Sequence, residues 1–185
     1  PEKEVVTEDK TVEASKNTEV KAGSIAIDEA HFPDKVFREQ IIAEFDKDGD
    51  SVLSVDEISK AQFLNLHDMK TISSLEGIQY LTNLQSLDVS TTSVSDLSPV
   101  KNSSLKRLDC RSSKVRSVDL TRYPNLEAFV CDNTSINSLD VSKNEKLNTL
   151  FADSTSISNL DVTNNPNLEQ LSCSNTGLME LDVTH

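Results

Sequence analysis

The sequence predicts an α/β solenoid: a right-handed coil with a parallel β-sheet on its concave face and a small helical cap at its N-terminal end. Three observations carry this. Apolar residues recur at a fixed interval of 21 from Leu84 onward, and a fixed period of that length belongs to stacked supersecondary units rather than to a single globule. Hydrophobic residues make up 36% and aromatic residues 4% of the 185, with no Trp, which is thin for one deep core but enough for a slab. Ahead of the repeats, Phe37, Ile41 and Phe45 recur at the four-residue spacing of an amphipathic helix.

Residues 1–23 mix Glu, Lys, Thr and Val without strand or helix periodicity, and they are expected to form a flexible tail. Residues 24–71 form the cap. Pro33 suits a first helical position, because its missing N–H would have no partner there, and Phe37, Ile41 and Phe45 line one face of the helix that follows. The chain then enters DKDGDSVLSVDE at 46–57. Ser54 and Glu57 have the spacing of a capping box opening a second helix, which runs toward Phe63.

Residues 72–185 are the repeats. Leu84, Leu105, Leu126, Leu147 and Leu168 are each 21 apart, and the same offset links Leu87, Leu108, Phe129, Leu150 and Leu171. A third column is Val89, Cys110, Cys131, Ala152 and Cys173, and a fourth is Val94, Val115, Ile136, Ile157 and Leu178. The spacing L-x-x-L-x-L-x-x-(T/S)-x-L is that of the leucine-rich repeat, in which a short strand turns alternate apolar side chains inward and the next coil stacks beside it roughly 4.8 Å away. Thr92, Ser113, Thr134, Thr155 and Thr176 occupy the position where such repeats usually carry a backbone-bonding Asn, so a hydroxyl ladder is expected in its place. Nothing polar or helical follows Leu171, Leu178 and Leu181 to cover the last coil, and the chain is expected to be truncated there, with end-to-end association of an otherwise monomeric protein through that coil.

Two stretches carry a family likeness. ISSLEGIQYLTNLQSLDVSTTSVSDLSPV at 72–100, with its longer 22-residue step from Ile72 to Val94, resembles the first repeats of the internalins, a family of bacterial surface proteins. FPD at 32–34 followed by helices resembles the helical N-terminal cap of the same family. The later 21-residue repeats and the hydroxyl column depart from that pattern, pointing to a related repeat protein. The resemblance implies an extracellular protein of the bacterial cell surface or cell wall that binds another protein, in adhesion or host interaction.

The loop FDKDGDSVLSVDE is similar to a calmodulin-type EF-hand loop. Asp46, Asp48 and Asp50 take positions 1, 3 and 5, Val52 offers a carbonyl at 7, Ser54 reaches through water at 9, and Glu57 stands at 12. A hard cation taking six to eight oxygens offsets the repulsion of carboxylates gathered so closely, so one structural calcium ion is expected. Ser51 holds position 6, where Gly usually takes a left-handed turn, at a cost of about 1–2 kcal/mol. The alternative is a solvated acidic turn in which Ser54 and Glu57 serve only as a helix cap.

The 31 acidic and 18 basic residues leave a formal charge of −13, which disfavours nucleic acid and anionic lipid as partners. No apolar run suits membrane insertion. His31, His67 and His185 lie far apart, and no nucleophile, phosphate-binding or metalloprotease motif occurs, so no enzyme activity is expected. Cys110, Cys131 and Cys173 share an inward column and are expected to be buried, reduced thiols, while Asp119, Asp140, Asp161 and Asp182 should face solvent and accept local backbone bonds. On the concave face, alternation places Val130 and Phe151 side by side, flanked by Arg107 and Arg111, a composition suited to protein contact. A structural spacer, or a scaffold for a catalytic domain outside this fragment, is the alternative role.

Overall fold

The computed structural model describes residues 22–181. The expected tail falls almost wholly on residues 1–21, and Asp182 and His185 lie beyond 181, outside the described residues. The cap opens with β1 (Ile25–Ala26), which pairs antiparallel with β2 (Val52–Leu53) inside the acidic loop, Ile25 opposite Leu53 and Ala26 opposite Val52. Helix α1 (Lys35–Phe45) buries Phe37 and Ile41 and leaves Phe45 half-buried. Its N-cap is Asp34, so Pro33 stands just outside the helix rather than at its first position. One Asp34 oxygen accepts the Val36 and Phe37 N–H groups at 3.1 Å each, satisfying donors that a helix start leaves open. The other accepts Ser73 N at 2.9 Å and Ser74 N at 3.2 Å, tying the cap to the first coil.

Helix α2 (Val55–Lys60) starts with the predicted capping box, the Ser54 side chain receiving Glu57 N and the Glu57 side chain receiving Ser54 N. It stops before Phe63, because the Gln62 carbonyl accepts Gln85 N at 2.8 Å and Ser86 N at 3.0 Å and draws the chain into the sheet. Strand β3 (Phe63–Asn65) therefore lies within the segment assigned to the cap. It is followed in parallel, in chain order, by β4 (Ser86–Asp88), β5 (Arg107–Asp109), β6 (Ala128–Val130), β7 (Thr149–Phe151) and β8 (Gln170–Ser172). From β4 onward each strand pairs with residues 21 further on, so every column of like side chains is in register. Leu84, Leu105, Leu126 and Leu147 stack fully buried behind Leu87, Leu108, Phe129 and Leu150. Helix content is small: short 3-10 turns at Ile78–Tyr80 and Leu120–Arg122 join loops on the convex side.

Cap and coils share one core. Phe32 is fully buried between Phe37 and Tyr80, with ring centroids 6.1 and 5.9 Å away. Gly77, at φ 105°, lies so close under Phe32 that an added Cβ would overlap the ring.

The hydroxyl column does not form rungs between coils. Each hydroxyl bonds the carbonyl three residues back in its own coil: Thr92 to Val89 at 2.6 Å, Ser113 to Cys110 at 2.6 Å, Thr134 to Cys131 at 2.7 Å, Thr155 to Ala152 at 2.8 Å and Thr176 to Cys173 at 2.8 Å. The hydroxyls of this column are turned back to their own coil, whereas Ser104, outside it, donates to Leu84 O in the preceding coil at 3.1 Å. The rungs are made by a different column on the convex side, again 21 apart. Asn102 donates to Leu81 O, Asn144 to Leu120 O at 3.1 Å and Tyr123 O at 2.8 Å, and Asn165 to Val141 O at 3.0 Å and Asn144 O at 2.9 Å. At Tyr123 the column carries an aromatic whose hydroxyl donates to Val100 O at 3.0 Å.

Candidate functional site

The sheet's concave face is built from alternate residues of six strands. The first outward column is Phe63, Ser86, Arg107, Ala128, Thr149 and Gln170, and the second is Asn65, Asp88, Asp109, Val130, Phe151 and Ser172, each pair matched across the ladder. Val130 stands directly opposite Phe151, both half-buried. Phe63, which sequence periodicity assigned to the end of a helix, instead stands 67% exposed at the N-terminal edge of this face. Its apolar character was visible in the sequence, but its place in the sheet depended on where α2 stopped.

Arg107 and Arg111 do line one shallow depression of about 220 Å³ with Val130, Ala128, Asp88 and Asp109. They are not equivalent, however. Arg111 is clamped by both oxygens of Asp109, through Nε at 3.0 and 2.8 Å and through a second nitrogen. Arg107 forms no such clamp among the described residues and is exposed. Beyond the strands, Asp132 and Asp153 follow Val130 and Phe151 by two residues. Asp132 accepts Asp153 N at 2.7 Å, and Asp153 accepts the Ser172 hydroxyl at 2.6 Å and Ser174 N at 2.6 Å. Burial and the neighbouring Asp153 charge push the Asp132 carboxyl above the usual range, against the opposing pull of Asp153 N and Arg111.

A serine, a histidine and an aspartate meet on the same face: Ser90 Oγ lies 2.8 Å from His67 Nδ1 and donates to Asp88 at 2.5 Å. The hydroxyl proton points to the carboxylate rather than to the imidazole, and Ser90 is 1% exposed. This is a structural link between the first two coils, not an activated nucleophile.

Cys110 and Cys131 are buried as expected, with thiols raised by desolvation, Cys131 to about 12 and Cys110 well above its ordinary value. Cys173 departs from that expectation and is only half-buried. Among the described residues no strand lies beyond β8, so its coil is covered on one side. The outward aspartates behave as expected: Asp119 accepts Thr121 N at 3.2 Å, Asp140 accepts Ser142 N at 3.0 Å and Asp161 accepts Thr163 N at 2.9 Å.

In the acidic loop, oxygens of Asp46, Asp48 and Asp50 lie within 4.8 Å of one another. Asp46 is centred by three backbone donors, Gly49 N at 2.9 Å, Asp50 N at 3.1 Å and Ser51 N at 3.0 Å. Ser51 takes the left-handed φ of 63° that position 6 requires. The Val52 backbone is engaged in the β1–β2 pair. Glu57 stands apart from the three aspartates, with one oxygen accepting Lys47 N at 2.7 Å and the other Ser54 N at 2.9 Å and Ser54 Oγ at 2.7 Å. Burial pushes its carboxyl upward, but the bonds from Ser54 and Lys47 outweigh that and hold it below the usual range. Three of the four acidic residues expected as ligands are therefore gathered, while the fourth is spent on closing the loop and capping α2.

In-register coils with a parallel concave sheet and Asn rungs define a leucine-rich-repeat solenoid. Among solved structures the chain is similar to an internalin, InlF, from Listeria monocytogenes, at 25% identity with a TM-score of 0.75, covering 85% of this chain and 47% of that one. It also resembles the APL1 leucine-rich repeat domain, at 19% identity and a TM-score of 0.53 over 63% of this chain and 33% of that one. For a chain of the LRIM1/APL1C complex the identity is 18% and the TM-score 0.59, over 67% of this chain and 25% of that one. The chain has an internalin-like leucine-rich-repeat fold and spans about half the length of the internalin it matches. No family model matches the sequence, and no curated protein is similar to it. Among the described residues no helix is long and apolar enough to cross a membrane.

Proposed function

We propose that this chain is a non-enzymatic, extracellular module of a bacterial cell-surface protein that binds a partner protein through its concave sheet, in adhesion or host interaction. The single observation that supports this most is apolar surface on a face otherwise built of polar side chains: Phe63 is 67% exposed, and Val130 and Phe151 form an adjacent pair beside Arg107. Exposed aromatic and arginine side chains on a rigid platform are what concentrates binding energy in protein interfaces. The experiment is a screen of this chain against surface-protein arrays, with Phe63→Ala, Phe151→Ala and Arg107→Ala in parallel. Loss of the captured partner with these variants supports the function. A partner whose binding is indifferent to all three favours a spacer or scaffold role.

We further propose that the cap holds one structural calcium ion through Asp46, Asp48 and Asp50, the Val52 carbonyl, a water on Ser54, and Glu57 after it releases Lys47 N. The spacing and the convergence of the three carboxylates support it. Calcium should then raise the Tm by linkage, and Asp48→Ala, which gives up only one weak bond to Asp50 N at 3.3 Å, should abolish the rise. A Tm indifferent to calcium and chelator alike would mark the loop as an acidic turn.

A further inference from the structure

Resting on the concave-face function above, we propose that the partner segment this face recognises is basic and apolar, seating an apolar side chain on the Ala128, Val130 and Phe151 shelf and Lys or Arg on Asp132 and Asp153. Three features of the face lead there. Val130 and Phe151, opposite each other in register and both half-buried, form an apolar step on β6 and β7, and Ala128, two residues before Val130, adds only a 5% exposed methyl to it. Along each of these strands the next outward residue is a carboxylate, Asp132 after Val130 and Asp153 after Phe151, so acid borders the step at about 7 Å, the repeat of an extended chain. The cations of the face pair neither carboxylate: Arg111, one coil before Asp132 in the same column, is clamped by both oxygens of Asp109, and Arg107 sits in the column of Ala128 and Thr149, on the other side of Val130.

Among the described residues, the bonds of Asp132 and Asp153 come from two backbone N–H groups and a serine hydroxyl, with no lysine or arginine pairing either carboxylate. Two half-buried carboxylates on adjacent coils repel each other; burial contributes most to the raised Asp132 carboxyl, and the Asp153 charge adds to it against the pull of Arg111. An incoming cation relieves the repulsion, whereas an acidic partner adds to it. An extended segment carrying an apolar residue and, two positions on, a Lys or Arg presents both groups on one face at the same 7 Å repeat, matching the apolar and acidic positions of the sheet.

The test uses fluorescence anisotropy with a labelled peptide of Phe-Ser-Lys-Ser repeats. Its counterparts replace every Lys with Glu or every Phe with Ser. The proteins are wild type, Asp132→Asn/Asp153→Asn, Asp140→Asn/Asp161→Asn and Phe151→Ala. The first double variant keeps the oxygens that accept the backbone bonds, and the second removes equal charge from another surface. The expected result is that the Phe/Lys peptide binds at least tenfold tighter than either counterpart, loses at least tenfold with the first pair or with Phe151→Ala, and changes less than twofold with the second pair. Equal losses for the two pairs, or no binding of the Phe/Lys peptide, would overturn the proposal. Tighter binding of the Phe/Glu peptide that still depends on Phe151 would overturn the charge preference alone and leave the concave face as a binding surface. Binding indifferent to Phe151 and to both pairs would remove the concave face itself.

Discussion

Asn144 is the side chain whose loss most directly tests how the coils are joined. It is fully buried, and its Nδ2 donates to Leu120 O at 3.1 Å and Tyr123 O at 2.8 Å in the preceding coil. Asn144→Ala takes one donor from each carbonyl, while Leu120 O keeps Tyr123 N and Tyr123 O keeps Leu126 N, both at 3.0 Å. At about 0.5–1.5 kcal/mol for each hydrogen bond lost, with some regained because Asn144 Oδ1 has no partner of its own among the described residues, the net loss should be about 2 kcal/mol. For a chain of this size each kcal/mol shifts the Tm by about 2–4 °C, so the midpoint should fall by roughly 4–8 °C. Asn167 is the matched control: it makes one bond to the preceding coil, to Glu145 O at 2.8 Å, but is exposed, so water replaces that bond. Asn167→Ala should cost no more than about 0.5 kcal/mol. Thermal and urea unfolding followed by circular dichroism reads both variants. If they differ by less than about 1 kcal/mol, the asparagine column does not carry the inter-coil hydrogen bonding.

The remaining predictions concern the loop, the thiols and the joint between cap and coils. Ser51→Gly, measured in chelator so that no metal contributes, should stabilise the protein by about 0.5–1 kcal/mol, because Ser51 holds a left-handed φ of 63° that glycine adopts freely; a loss of stability would contradict that backbone. A thiol reagent at pH 8 should label Cys173 first and reach Cys110 and Cys131 only in denaturant, since both are buried and Cys131 is pushed up to about 12. Labelling Cys131 as fast as Cys173 would refute the stacking of the coils. At Asp34, burial pushes the carboxyl upward, but hydrogen bonds from Ser73, Phe37 and Ser74 outweigh it and hold the carboxyl below its usual range. A depressed folded value contributes stability that is present above the unfolded value of about 3.9 and is lost as pH falls through the folded one. Urea unfolding should show Asp34→Asn clearly less stable than wild type at pH 7, with the gap narrowing at pH 3. A gap independent of pH would mean that the ionised carboxylate contributes nothing.

The sequence by itself determined the solenoid, because a 21-residue period leaves little freedom. Each coil must place Leu84 and its equivalents over the next, and any other register would expose an entire column. The same periodicity put Val130 beside Phe151 and made neighbours of Cys110 and Cys131. Local chemistry was equally legible where the partners are close in sequence: Ser54 and Glu57 are three residues apart, and the capping box forms as their spacing requires.

Only the tertiary structure decided the features whose partners lie in another coil or another element. Strand β1 has two residues and exists because Val52 and Leu53 offer it an edge. The end of α2, and with it the exposure of Phe63, is set by the Gln62 carbonyl meeting Gln85 and Ser86 in the next coil. Hydroxyls and amides alternate along the repeats in ways that look interchangeable in sequence, but their place in the coil separates them. The hydroxyls of Thr92 and its equivalents close on their own coil, while the amides of Asn102, Asn144 and Asn165 cross to the preceding one. Likewise, both arginines of the concave face are equally visible in the sequence, but Asp109 lies close enough to clamp Arg111 and not Arg107. Periodicity determines which face a side chain occupies, and three-dimensional distance determines which partner it finds there.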